Sequence, residues 1–393
     1  MAGTISRGIK APIIREGDDI VKIVADCVLS QAEQEGFELH EKDVISVTEA
    51  VVARADGNYA STDDIAADVK AKFGGETVGV VFPILSRNRF AVCLRGIARG
   101  AKKIVLMLSY PSDEVGNHLF DEDLLDESGV NPYTDVLSLE EYRKAFGYAK
   151  HPFTGVDYVD YYKSLIEEEG AQAEVIFANH AEAIVPYTKN VLLCDIHSRE
   201  RSKRRVLKNG GETVLTLTDI LNAPVNGSGY NAAYGLLGSN KATESTVKLF
   251  PKNAQEIAEK IQKEILERTG VKIEAMVYGD GAFKDPVGKI WELADPVVGA
   301  GYTDGLIGLP NELKLKYLAD NDFADLTGEQ LAEAIRERIK EKELDLKGQM
   351  VSEGTTPRRL TDLIGSLSDL TSGSGDKGTP IVLIQNYFNN YAN

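Results

Sequence analysis

The chain has 393 residues, more than one ordinary hydrophobic core organises, so two domains or one core with a large insertion is expected. With 43% hydrophobic and 27% charged residues, wholesale disorder is excluded. Sixty-one acids against 44 bases leave a net charge of −17, which repels phosphate backbones and anionic lipid and argues against nucleic-acid or membrane partners.

Ala11-Pro12-Ile13-Ile14 is a short apolar run closed by Arg15-Glu16-Gly17-Asp18-Asp19. An amphipathic helix follows, with Ile20, Ile23, Val24, Cys27 and Val28 on one face and acids at its start. Asp43–Val47 reads as a buried strand running into 48–57. Thr77–Phe82, Arg87–Arg99 and Lys103–Leu108 form a strand–helix–strand unit, whereas 110–170 is acidic and tyrosine-rich with little periodicity. Val175–Ala178, Val191–Ile196 and Glu212–Leu217 read as further strands. Asn253 and Glu256 form a capping-box pattern opening a helix that carries Ile257, Ile261 and Ile265 and ends at Gly270. The strand Val271–Tyr278 then delivers Gly279-Asp280-Gly281 at its carboxyl end. Thr327 opens another helix, and Thr356 with Pro357 a third, which empties into a glycine-rich loop over 371–378 before a last strand, Pro380–Gln385. Alternating strands and helices predict a mixed α/β, or α+β, fold.

The glycines of the 371–378 loop let backbone N–H groups point at an anion, and Lys377 can neutralise one, although a flexible turn accounts for the composition equally well. The loop follows a helix and precedes a strand, the reverse of Walker A order. Asp280 stands where acids face the ligand crevice of an α/β sheet, and Asp285 five residues on suggests a hard-cation site. Arg199, Arg201, Lys203, Arg204, Arg205 and Lys208 form the one dense basic run, either a solvated face or a clamp for an anionic substrate. Asp195-Ile196-His197 lacks a spaced third ligand, which favours a structural role. No G-x-G-x-x-G follows the strand at 77, which argues against a dinucleotide oxidoreductase, and no nucleophile elbow is present. Cys27, Cys93 and Cys194 are widely spaced, against a disulfide framework or thiolate zinc site and in favour of a reducing compartment. The opening MAGTISRGIK lacks the apolar stretch of a signal peptide, so a cytoplasmic protein is expected.

The order of these pieces resembles the coenzyme F-420-0:L-glutamate ligases. The run 12–19 is similar to the family's "EGDD" helix start, and 53–57 to its "SKAEGR" segment. Gly235-Leu236-Leu237-Gly238-Ser239-Asn240 resembles "AGIDASN", the stretch through Thr269-Gly270 to Asp280 resembles "LTG…DTxGR", and 363–380 resembles the closing helix, glycine-rich loop and "IP" strand. Together they span about residues 8–60, 230–305 and 355–386.

The resemblance implies a ligase-like core over 1–70 and 230–393, an inserted α/β region over 71–229, and a homodimer. It implies GTP- and Mg2+- or Mn2+-dependent amide-bond formation through an acyl phosphate, joining L-glutamate or a similar amino acid to a small acidic acceptor. By position, Ala11, Pro12, Ile13, Ile14, Arg54 and Asn240 would face the nucleotide. Ser372, Gly373, Ser374, Gly375, Asp376, Lys377, Gly378 and Thr379 would wrap it. Asp280 would be catalytic and hold metal, with Asp376, Asp285 and Asp195 as candidates for relocated ligands, and Arg201, Arg204 and Arg205 would bind the acceptor. The chain departs from the family at three places. An acidic ligand falls at Leu237 or Gly238, another at Ser374, and Thr-x-Gly-Arg reads Gly281-Ala282-Phe283-Lys284. Those losses leave a second expectation open, a non-catalytic relative that binds nucleotide or an anion as a sensor or partner subunit.

Overall fold

The computed structural model describes residues 3–151, 154–280, 297–343, 345–346, 348–352, 358–372 and 375–392. Its architecture is mixed α/β and rests on two principal sheets.

The first sheet has five strands, in the spatial order Ile5–Ile9, Ile381–Gln385, Val44–Thr48, Glu274–Tyr278 and Gly299–Tyr302. The strand Val44–Thr48 is parallel to Glu274–Tyr278, and the other neighbours pair antiparallel. Alternate side chains go to opposite faces, as strand geometry requires. Ile45, Val47, Ala275, Val277, Ile381 and Leu383 face the helices Ile20–Glu35 and Ala254–Thr269. Val44, Met276, Tyr278, Val382 and Ile384 face Leu360–Ser372. The helix starting at Ile20 is capped by Asp19, which accepts from the Lys22 N–H at 3.1 Å.

The second sheet lies wholly between Thr77 and Thr216. Five of its six strands are parallel, in the order Gln172–Phe177, Lys103–Leu108, Thr77–Val81, Asn190–Leu193 and Thr213–Thr216, with Leu137–Ser138 antiparallel at the edge. Both faces are covered: Val78, Val80, Ile104 and Leu106 pack one way, and Val81, Val105, Met107 and Leu193 the other. Parallel strands buried on both faces read as continuous apolar runs, which is how they stand out in the sequence. In chain order the five parallel strands lie 3-2-1-4-5, a doubly wound sheet whose direction of winding reverses between Thr77–Val81 and Asn190–Leu193.

A three-stranded sheet of Asn240–Lys241, Thr246–Lys248 and Tyr59–Ser61 lies apart from both. A smaller apolar cluster, around Leu318, Ile335 and Ile339, anchors the helix Gly328–Lys340.

Three expectations change. The stretch 110–170 holds three helices, Glu122–Ser128, Leu139–Phe146 and Tyr158–Glu168. The second and third bury aromatic rings, with Tyr142 stacked on Phe177 at 3.8 Å and Phe146 on Phe120 at 3.9 Å, so aliphatic periodicity is weak there. Ile5–Ile9 is an unforeseen edge strand whose central Arg7 donates to the Gln385 side chain at 2.6 Å. The capping box at Asn253 does not form: its side-chain N–H donates to Asp56 at 2.9 Å, and its oxygen accepts no helix N–H. The helix Thr62–Phe73 packs on Ala91–Arg99 so closely that a Cβ at Gly96 would lie 2.6 Å from Ile65. Residues 62–70 therefore share the hydrophobic core of the second sheet. Thr356 and Pro357 lie outside the described residues.

Arg95 and Arg99 tie that helix to Glu169, at 2.8 and 2.7 Å. Burial raises the Glu169 carboxyl, but the two guanidinium hydrogen bonds outweigh it and hold it below its ordinary 4.5. A depressed carboxylate contributes stability that is complete above its unfolded value and disappears as pH falls through the folded one. Glu169→Gln is therefore expected to cost about 1 kcal/mol at pH 7. Urea unfolding of both proteins should show the gap narrowing below pH 4.5.

Candidate active site

Register fixes which chain ends meet. Ile9 is opposite Ile381, Ile381 opposite Val47, Thr48 opposite Tyr278, and Tyr278 opposite Gly299. One end of the five-stranded sheet therefore collects Lys10–Ile14, Gly378–Pro380, Thr48–Glu49 and Gly279-Asp280. Backbone bonds extend the zipper past the strands: Ala11 N–H donates to Gly378 C=O at 3.1 Å and Thr48 N–H to Pro380 C=O at 3.0 Å. Neighbouring strands are about 4.8 Å apart, so three steps from the first strand to that of Asp280 cover about 14 Å.

Along this end, Ile14 is buried, Ala11 half-buried, and Pro12 and Ile13 exposed. Ser372 is buried; its carbonyl accepts from the Thr379 hydroxyl at 2.6 Å, and its own hydroxyl donates to the Asp369 carbonyl at 3.1 Å. Asp376 and Lys377 are exposed in a single 3-10 turn, Gly375–Lys377. Arg54 is exposed at the last turn of the helix Glu49–Ala55, which starts from the carboxyl end of its strand. Gly373, Ser374 and Asp285 lie outside the described residues.

Asp280 meets a partner from the other sheet: the Arg89 guanidinium forms an ion pair with its carboxylate. Arg89 follows the strand Thr77–Val81 and stands just before the helix Ala91–Arg99. Its neighbour Asn88 accepts from the Lys241 N–H at 2.6 Å, which brings Asn240 to the same junction. Lys248, on the strand paired with Tyr59–Ser61, is half-buried and pairs with the buried Glu49 at 3.2 Å. Sequence reasoning passed over Arg89 and Lys248. Arg87-Asn88-Arg89, two bases directly after a buried strand in an acidic chain, was an available signal for the first; none marked the second.

Beside Arg89 opens a small cleft of about 20 Å³, lined by Ile84, Phe90, Leu217, Leu236 and Leu237 with Cys93, Cys194 and Ser239. It sits beyond the carboxyl ends of Thr77–Val81, Asn190–Leu193 and Thr213–Thr216, where the winding reverses. Burial pushes the Cys93 thiol up to about 11, and Cys194 also upward, so neither is a thiolate nucleophile at neutral pH. Asp113 shapes the rim by accepting from the N–H groups of Leu85 at 2.8 Å and Val115 at 3.0 Å.

The basic run is a helix, Arg199–Lys208. Arg201 and Arg204 are exposed, and Arg205 is bound to Glu182 at 2.7 Å, so the three do not converge on Asp280. Asp195 is buried and accepts from the Ser198 and Ser202 hydroxyls at 2.8 and 2.7 Å, the structural role its spacing suggested. His197 is exposed.

Compared with known protein families, the chain matches F420-0:Gamma-glutamyl ligase over residues 8–386. The chain belongs to the F420-0:gamma-glutamyl ligase family. No curated protein matches it. The family match runs through the doubly wound second sheet as well as the first. Among the described residues, no group of three or more His, Cys, Asp or Glu side chains is arranged to hold a metal, and no helix is long and apolar enough to cross a membrane.

The loop that carries the ligase-family segment 235–240 depends on Gly235, whose φ is +51°. A Cβ there would lie 2.4 Å from the Ile220 carbonyl and 2.6 Å from that of Thr218, both backbone atoms that cannot step aside. Gly235→Ala is expected to destabilise the protein by about 3 kcal/mol, read as a lower urea midpoint at unchanged slope.

Proposed function

We propose that this protein is a nucleotide-dependent amide-bond ligase whose phosphoryl-transfer site is the end of the five-stranded sheet around Asp280. The observation that carries the reading is the convergence there of Ala11–Ile14, Gly378-Thr379 and Asp280, three segments far apart in the chain. GTP is the proposed nucleotide, lying across the strand ends, with Arg54, Asn240 and the turn Gly375–Lys377 at its margins. Membership of a ligase family supports the reaction class.

In this reading the γ-phosphoryl group passes to a carboxylate oxygen of a small acidic acceptor, giving an acyl phosphate and GDP. The amine of L-glutamate, or of a similar amino acid, then attacks the carbonyl carbon. The C–N bond forms, the C–O bond to phosphate breaks, inorganic phosphate leaves, and the amine gives up a proton. The chain's part is to align the two substrates and exclude water from the acyl phosphate.

The donor set fits a cation that arrives on the nucleotide. Asp280 supplies one described carboxylate, and Mg2+ or Mn2+ is commonly held by one or two carboxylates plus substrate phosphates. Asp376 and Asp285 are the further candidate ligands. Such a cation spreads the charge of the transferring phosphoryl group. Arg89, already on Asp280, orients that carboxylate and adds fixed positive charge beside it.

We further propose that residues 1–70 and 230–393 form the ligase-like core, 71–229 the insertion, and that the protein is a cytoplasmic homodimer. Leu237 favours a second reading: buried where the resemblance places an acid, it suits a relative that binds nucleotide without catalysis.

Calorimetric titration of GTP, with ATP for comparison and with and without Mn2+, tests the assignment. Micromolar, metal-dependent binding of about 8 kcal/mol is expected. Asp280→Ala is expected to abolish the metal-dependent part while leaving the melting temperature within a few degrees. Unchanged GTP affinity in that variant removes Asp280 from the site.

A further inference from the structure

We propose that the helix Arg199–Lys208 is a docking surface for a second copy of this chain, and that the segment it receives is that copy's acidic helix, Glu122–Ser128. The inference stands apart from the ligase reading and from the homodimer proposed for the core.

Helical spacing builds the basic side. Arg201, Arg204 and Lys208 recur at three- and four-residue steps, which sets them in one stripe along the helix. All three are exposed, and none has an acid in ion-pair range among the described residues. Their neighbours Lys203 and Arg205 are held by Asp219 and Glu182 instead. Leu207, 48% exposed, borders the stripe. A basic stripe alone is ordinarily a solvated face. What sets this one apart is a matching surface of opposite sign on the same molecule.

That surface is the helix Glu122–Ser128, where Glu122, Asp123, Asp126 and Glu127 are exposed together with Leu124 at 41%. Acids on other exposed helices are neutralised one turn away, Glu256 by Lys260, Glu264 by Arg268 and Glu337 by Lys340. On this helix the one ion-pair partner among the described residues is His118, 3.9 Å from Glu122. Each helix thus carries uncompensated charge beside an exposed leucine, and the two charges are opposite.

Topology decides that the two meet between chains. Val206 of the basic helix packs with Val81, Val105 and Met107 on one face of the six-stranded sheet. Leu125 of the acidic helix joins the core of the other face, with Ile104, Leu106 and Tyr142. Helices on opposite faces of one sheet cannot pair within a chain. Pairing between copies is head-to-tail, because it uses two different surfaces, and it grows into a ring or an open string. Two short helices bury less than the roughly 1,600 Å² of a standard interface, so the association is weak and reversible. The net charge of −17 opposes it at long range. At physiological salt the screening length is about 8 Å, which quenches that repulsion and leaves direct charge contacts in place.

Sedimentation velocity of the full-length protein over a concentration series, at about 0.15 M and about 1 M salt, tests the docking. The sedimentation coefficient is expected to climb with concentration at the lower salt and to stay level at the higher. Arg201→Glu with Arg204→Glu should weaken the self-association at least tenfold, and so should Glu122→Lys with Asp126→Lys. All four positions are exposed, so both variants should melt with the wild type. Each variant alone sets like charges against like. An equimolar mixture of the two restores opposite charges at both helix pairs and should regain the climb, a result that a damaged fold cannot give. No salt-sensitive climb in the wild type, a climb that ignores either variant, or a mixture as dispersed as its components overturns the proposal. A dimer unchanged by salt and by both variants, with no further growth, belongs to the core and overturns it too.

Discussion

Parallel pairing of Val44–Thr48 with Glu274–Tyr278 is the constraint on which the rest depends. Two strands more than two hundred residues apart must run side by side in one direction, so everything between them has to leave and return at opposite ends of the sheet. The same register puts Thr48-Glu49 beside Gly279-Asp280, and the antiparallel strand Ile381–Gln385 then brings the glycine-rich loop to that end. A one-residue slip would turn Ile45, Val47 and Val277 away from the helices that cover them, so the apolar faces and the site are specified together.

The second sheet meets this frame through few strong contacts, of which the Arg89–Asp280 pair matters most for chemistry. A half-buried ion pair adds little net stability, since desolvation offsets attraction. Its consequence is positional. A guanidinium offers a rigid fork, and one held by the helix start at Ala91 fixes the Asp280 carboxylate against the cleft. Around it, Asn88 holds Lys241 and Lys248 holds Glu49, so the loops that carry Asn240 and Asp280 belong to one connected set of polar contacts. The chain is strongly acidic overall, yet the bases near this junction are engaged in pairs that orient carboxylates.

The fold was legible wherever apolar periodicity was undiluted. Lys103–Leu108 coincides with its strand because all but its first residue are buried, and Gly270 ends its helix in the left-handed conformation that glycine adopts at low cost. Legibility failed where aromatic rings replace aliphatic ones, as at Tyr142 and Tyr162, and where a long-range partner overrides a local motif, as when Asp56 takes the Asn253 amide. For the site, the segments at the sheet end could be ordered from the sequence, but not their separation. The salt bridge that joins Arg89 to Asp280 spans 191 positions and leaves no local pattern. Arg201, Arg204 and Arg205, adjacent in the sequence, spread around the circumference of their helix, to solvent and to Glu182.

Leu237 joins the two halves of the functional argument. The resemblance puts an acid at 237 or 238, and the structure makes Leu237 a buried wall of the cleft beside Arg89. A carboxylate in that wall would be desolvated among Phe90, Leu217 and Leu236, with only Arg89 to compensate it, and Arg89 is already committed to Asp280. An apolar slot and an acid at 237 are therefore incompatible. Arg89, which follows a strand of the six-stranded sheet, places fixed positive charge on the Asp280 carboxylate beside that wall.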